Sequence, residues 1–161
     1  MAPATDQELR HGAGEKGQRV TPATARKAVF HPTETDPSYT SEDLVRIFGT
    51  THRQLQWWDE RDVIMPHLEA HRRVYSAHLA TLVGVVQRLR ATLSLQTIRT
   101  FLPRIERGIA RNAGRFVILS LPKTLHFINE PELIVAALAE FSAPSVVVDL
   151  RQITDALKEQ R

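Results

Sequence analysis

Five consecutive positions, His52-Arg53-Gln54-Leu55-Gln56, hold a histidine, an arginine and two glutamines. These side chains carry the donors and acceptors that pair with base edges, arginine with guanine and glutamine with adenine. Trp57 and Trp58 follow directly, and Arg72-Arg73 comes later, ahead of Val74-Tyr75. Guanidinium groups suit phosphate oxygens. Other chemistry is sparse. Cysteine is absent, which excludes disulfides, thiolate metal sites and iron–sulfur clusters. His67 and His71 stand four apart, but in a loop with only Glu69 beside them, so no metal site is expected there. None of the seven glycines belongs to a phosphate-binding loop. Ser, Asp and His are scattered without a catalytic grouping. The expectation is a binding protein without a cofactor rather than an enzyme.

Base-edge readers need a rigid element beneath them, and the local sequence provides one. Thr40 with Asp43 has the chemistry of an N-cap and the third helical position. Leu44, Ile47 and Phe48 give that helix an apolar side, and Gly49 a place to stop. Thr51 caps a second helix, in which Leu55 and Trp58 point inward while Arg53 and Gln56 point elsewhere. Two short helices joined by a glycine-containing turn form a helix-turn-helix whose second member exposes polar side chains near its start. Val63-Ile64-Met65-Pro66 and Arg72-Arg73-Val74-Tyr75 flank a polar loop and read as a small hairpin, or wing. Ser76 caps a helix carrying Leu79, Leu82, Val83, Val86 and Leu89. Ser94 caps another with Leu95, Ile98 and Leu102, and Pro103 starts a short further helix.

Charge follows the same division. Residues 39–115 hold twelve arginines against seven acidic side chains, a net of +5. Residues 1–38 sum to zero and residues 116–161 to −2. A basic stretch beside a neutral or slightly acidic one fits a polyanion binder with a second function attached. Residues 1–38 lack any period and read as a disordered tail. No run of about 18 apolar residues occurs, and the first residues lack the basic-then-apolar pattern of a secretory signal. No membrane partner is expected, and the reading places the protein in the cytoplasm, at the nucleoid.

In order, YTSEDLVRIFGTTHRQLQWWDERDVIMP, then RRVYS, then LRATLSLQTIRTFL resemble the DNA-binding domain of the MerR family of bacterial transcription regulators. The likeness covers roughly Tyr39 to Leu102. It implies double-stranded DNA as partner, with RNA polymerase as a further candidate. By this likeness Thr51 caps the recognition helix, Arg53 is its DNA-contacting arginine, and Trp57 and Trp58 are its aromatic pair. Arg73 and Tyr75 match the wing's terminal motif, with Arg72 adding a charge. The expected DNA-contacting set is Thr51, His52, Arg53, Gln54, Gln56, Trp57, Arg72, Arg73 and Tyr75, with Trp58 in the core. The chain also departs from the pattern. Gln56 stands where the family often has arginine, His71 and Arg72 replace the usual Gly-Tyr, and no long heptad-bearing helix follows Leu102.

Beyond residue 115 the period changes. Phe116–Leu121 and Thr124–Ile128 read as strands around Pro122-Lys123. Asn129 caps a helix burying Leu133, Ile134, Ala137, Leu138 and Phe141. Ser145–Leu150 reads as a buried strand, and a last helix carries Ile153 and Leu157. The fold class is α+β: a winged helix-turn-helix at 39–112 followed by a small ββαβα module at 113–161. So small a sheet leaves a face or edge uncovered, and the module is expected to form a homodimer in place of the missing coiled coil. A sensor role would rest on His126, Asn129, Asp149 and Arg151, which form no recognised site. The function expected is sequence-specific transcription regulation by a homodimer on an inverted repeat. The alternatives are an architectural, excisionase-like DNA-binding protein and an adaptor that docks proteins through its winged helix.

Overall fold

A computed structural model describes residues 37–160, so the tail expected over 1–38 lies almost wholly outside the described residues. In chain order the elements are β1 (Ser38–Thr40), α1 (Ser41–Phe48), α2 (His52–Glu60), β2 (His67–Glu69), β3 (Arg72–Ser76) and α3 (Ala77–Arg90). There follow α4 (Leu95–Ala110), β4 (Phe116–Ser120), β5 (Thr124–Ile128), α5 (Glu132–Ala139), β6 (Ser145–Asp149) and α6 (Leu150–Glu159). Thr40, Thr51, Ser76, Ser94 and Asp149 each accept a hydrogen bond from a first-turn amide, giving α1, α2, α3, α4 and α6 defined starts. Gly49 ends α1 in the left-handed conformation, φ 65°.

Two antiparallel three-stranded sheets frame these helices, in the orders β1-β3-β2 and β5-β4-β6. In the first, Ser38 pairs with Ser76 and Glu69 with Arg72. The β2–β3 turn is therefore Ala70-His71, both at positive φ (45° and 68°), as a two-residue hairpin requires. In the second, Ile118 lies between His126 and Val147.

Several boundaries differ from the sequence reading. Ser38, placed in the tail, belongs to a strand. Val63 and Ile64 form no strand: their amides turn back to the Trp58 carbonyl at 2.8 and 3.4 Å, and their side chains enter the core. The wing's first strand begins instead at His67, just past Pro66. Pro103 starts no new helix; α4 runs through it from Leu95 to Ala110. Phe101, Leu102 and Ile105 are all buried there, and their burial outweighs the one backbone bond that proline removes. Asn129 does not cap α5, which begins after Pro131 without a side-chain cap and buries none of its residues. β6 is an edge strand in which only Val148 is fully buried.

The hydrophobic core does not divide at residue 112. One cluster runs from Tyr39, Leu44, Leu55 and Trp58 through Val83 and Phe101 to Val117, Ile153 and Leu157. Phe127 of β5 lies over Gly108 of α4, and Ile153 of α6 over Gly84 of α3. A Cβ on Gly84 would sit 2.5 Å from Ile153 Cγ2 and 2.9 Å from two ring carbons of Phe48. Gly84→Ala is therefore expected to lower the unfolding free energy by about 1–3 kcal/mol through overpacking. It should do so although alanine is favoured over glycine inside helices by about 1 kcal/mol. Urea denaturation showing unchanged or raised stability would mean that the three elements do not meet so closely.

Two carboxylates have their ionised forms stabilised. Asp43 accepts from the Thr40 backbone N–H at 2.9 Å and from its hydroxyl at 2.8 Å, with Arg46 at 3.0 Å. These bonds, the backbone one foremost, hold it below the ordinary aspartate value. Asp149 accepts two bonds from Arg115, at 2.8 and 3.2 Å, and one from the Arg151 amide at 2.9 Å. The Arg115 guanidinium is the main cause of its lowered pKa. A depressed folded pKa contributes stability that is full above the unfolded value of about 3.9 and is lost as pH falls through the folded value. The double variant Asp43→Asn, Asp149→Asn should be less stable than the parent at neutral pH. Its stability should also fall less steeply between about pH 4 and 2. Parallel acid-denaturation curves for the two proteins would refute the assignment.

Candidate nucleic-acid interface

The stability of α2 is what places the site. Thr51 N–H donates to Gln54 Oε1 at 2.9 Å, and Gln54 N–H donates to Thr51 Oγ1 at 3.1 Å, a closed capping box. Leu55 and Trp58 anchor the inner side and are buried. With the helix held by its cap and its core face, His52, Arg53, Gln56 and Trp57 are left exposed on the other side.

The expected site residues divide into three groups. His52, Arg53 and Arg72 are exposed, and among the described residues no hydrogen bond or ion pair engages them. Gln56 is exposed and donates to Glu60 Oε1 at 2.8 Å, an exposed bond that a competing partner can displace. Thr51 and Gln54 hold the cap, and the Gln54 Oε1 also accepts from the Thr50 hydroxyl at 3.1 Å. Gln54 thereby shapes the helix start through its Oε1 and its backbone N–H. Tyr75 needs a correction. It is 1% exposed, so its ring is part of the core, and burial pushes its phenol above the ordinary tyrosine value.

Arg73 links the wing to the helix. Its Nε donates to Asp59 Oδ2 at 3.0 Å, so β3 is fastened to α2 by a charge-assisted bond. Both partners remain about one-third exposed, and water limits what such a pair adds to stability. Its consequence is geometric, because it sets the wing beside the exposed side of α2. The hairpin turn then carries Arg72 at its end, opposite Glu69.

Two features of this surface are not evident in the sequence reading. Arg61 places its guanidinium 5.4 Å from the Trp57 ring centroid, a cation–π contact. It holds a further positive charge beside a ring that is 39% exposed. The four-residue spacing on a helix is the signal that could have found it. Leu68 in the wing is 72% exposed, an apolar side chain standing between His67 and Glu69. No sequence signal separates it from the buried leucines nearby.

Among the described residues no group of three potential metal ligands comes together, and no helix is long and apolar enough to cross a membrane. The arrangement offers a helix with an exposed polar ridge, a basic hairpin fastened beside it, and a second helix behind for support. That is the architecture with which a winged helix-turn-helix enters a major groove. No curated protein matches the chain. Residues 39–105 match the family model described as MerR HTH family regulatory protein. The match covers about two-fifths of the chain and ends within α4, before the second sheet begins. Over this segment the chain is similar to the MerR family of helix-turn-helix regulatory proteins.

Proposed function

We propose that the chain is a sequence-specific transcription regulator that binds an inverted-repeat operator as a homodimer. The observation that carries the specificity is the exposed ridge of His52, Arg53 and Gln56, with His52 and Arg53 free of other partners among the described residues. Arg53 is suited to reading a base edge in the major groove, and Gln56 reaches a neighbouring base once its bond to Glu60 is exchanged. Arg72 and the Trp57–Arg61 stack are suited to the phosphates that flank the groove. Homodimerisation is supported by the small second sheet, whose apolar helix α5 remains largely uncovered, and by the match between a two-fold dimer and a palindromic site.

Selection of bound sequences from a random duplex pool should return two related half-sites in inverted orientation. On the selected site Arg53→Ala should cost about 1–3 kcal/mol and relax preference at one position. Arg72→Ala should weaken all sequences alike and reduce the salt slope by about one unit. An equal loss from Arg53→Ala on every duplex would reduce that residue to a phosphate contact. Binding that is insensitive to salt would exclude both DNA-binding readings and favour the protein-docking adaptor.

A further inference from the structure

The two edges of the second sheet are finished differently. At the ends of the β4–β6 ladder, Leu150 N–H donates to the Arg115 carbonyl and Leu121 N–H to the Pro144 carbonyl. Antiparallel alternation from these two bonds, with the register Phe116↔Asp149 to Ser120↔Ser145, turns Pro144, Val146, Val148 and Leu150 toward β4. It turns the N–H and C=O of Ser145 and Val147, and the N–H of Asp149, outward. By the same rule β5 turns the backbone of Lys123, Leu125 and Phe127 outward. That edge is sealed: Arg104 of α4 donates to the Lys123 carbonyl at 2.7 Å and to the Leu125 carbonyl at 3.3 Å. The β6 edge has no such cover. Among the described residues no backbone hydrogen bond from outside the ladder reaches Ser145 or Val147.

Two devices that blunt an edge strand are absent from β6 itself. Its sequence is Ser-Val-Val-Val-Asp, without a lysine or an internal proline. Val147 shares a sheet face with its cross-strand neighbour Ile118, which is buried, while Val147 itself is 38% exposed. The helix that joins β5 to β6, α5, exposes Leu133 at 52% and Val135 at 75%. An open, apolar edge and an uncovered apolar helix thus belong to the same β–α–β crossover.

We infer that β6 is the homodimer interface, pairing antiparallel with β6 of a second copy about a two-fold axis at Val147. This rests on the homodimer reading above and assigns its surface. The edge is complementary to itself. With Val147 facing Val147 of the partner subunit, the two residues exchange both backbone bonds. Each Asp149 N–H meets the Ser145 carbonyl of the partner subunit, for four bonds in all. No like charges face each other along this register. The sheets join into one six-stranded sheet with the sealed β5 edges outermost.

The chain has no cysteine, so Val147→Cys introduces a single thiol into the full-length protein. In the inferred register the two α-carbons lie roughly 5.5 Å apart, inside the span a disulfide needs. Mild oxidation should give a covalent dimer on a non-reducing gel. Lys123→Cys, on the sealed edge, should stay monomeric on that gel. Sedimentation equilibrium of the unmodified chain should show a dimer, and Val147→Lys should raise its dissociation constant at least about tenfold while the circular dichroism spectrum is retained. A dimeric parent in which Val147→Cys crosslinks no better than Lys123→Cys overturns this interface and leaves the homodimer standing. A parent that sediments as a monomer throughout the micromolar range overturns both.

Discussion

From Ala80 to Val86 helix α3 is buried on every side, and the remaining elements are arranged to keep that stretch from water. Ala80, Thr81, Leu82, Val83, Gly84, Val85, Val86 and Leu89 are all buried. A helical stretch without a polar face is stable only when surrounded, and a helix-turn-helix with its wing covers only part of one. The C-terminal elements complete the enclosure: α6 packs along α3 at Gly84, and Arg88 reaches Gln152 across the same junction at 3.2 Å. Thr81, the polar residue in the buried set, returns its hydroxyl proton to the Ala77 carbonyl at 2.8 Å. The Tyr39 hydroxyl donates to the Leu157 carbonyl at 3.3 Å, joining the first strand to the last helix. The DNA-binding half and the C-terminal half are thus two ends of a single core.

What was legible in the sequence was what depends on near neighbours. Thr40, Thr51, Ser76 and Ser94 were readable as caps because a cap needs only the three residues after it. Leu55 and Trp58 were readable as core because their spacing places them on one side of a short helix. The failures lie where distant parts of the chain decide. Val63 and Ile64 have strand propensity, but no partner strand lies opposite them, and the Trp58 carbonyl takes their amides. Pro103 resembles a helix start when only its neighbours are considered, yet Phe101, Leu102 and Ile105 gain more from burial along an unbroken α4. α5 shows the opposite weakness: Glu132 to Ala139 is so uniformly apolar that it has no period, and composition without period cannot say which side is buried.

Within the candidate site the residue types were readable, and their commitments were not. Gln54 has the composition of a base reader and the position of a capping-box partner, and in the free protein its Oε1 closes the capping box with Thr51. Arg73 and Tyr75 alternate onto one side of β3, and that side faces the protein. One ends in a bond to Asp59 and the other in the core, which leaves Arg72, on the other side, as the exposed arginine of the wing. A motif match specifies which residues recur together. It does not distinguish those that touch the partner from those that hold the motif in shape.

The same distinction changes how the positive charge should be counted. Residues 39–115 carry a net charge of +5, but several arginines there have structural partners. Arg46 is paired with Asp43, Arg73 with Asp59 and Arg115 with Asp149, and Arg104 is bound to two strand carbonyls. Asp43 and Asp59 are already subtracted in that +5, so among these pairs only Arg115–Asp149 lowers it further, whereas binding a carbonyl only fixes where a charge sits. The field left at the helix and wing comes mainly from Arg53, Arg61 and Arg72. Salt dependence follows the number of phosphates neutralised, so the slope per subunit should reflect this smaller group, not the formal excess. On the proposed operator, affinity built from so few cations per copy would leave a single half-site weakly held. In the homodimer proposed above the second contact would become an intramolecular one, so that the geometry of the dimer, more than its charge, would decide which operators are bound.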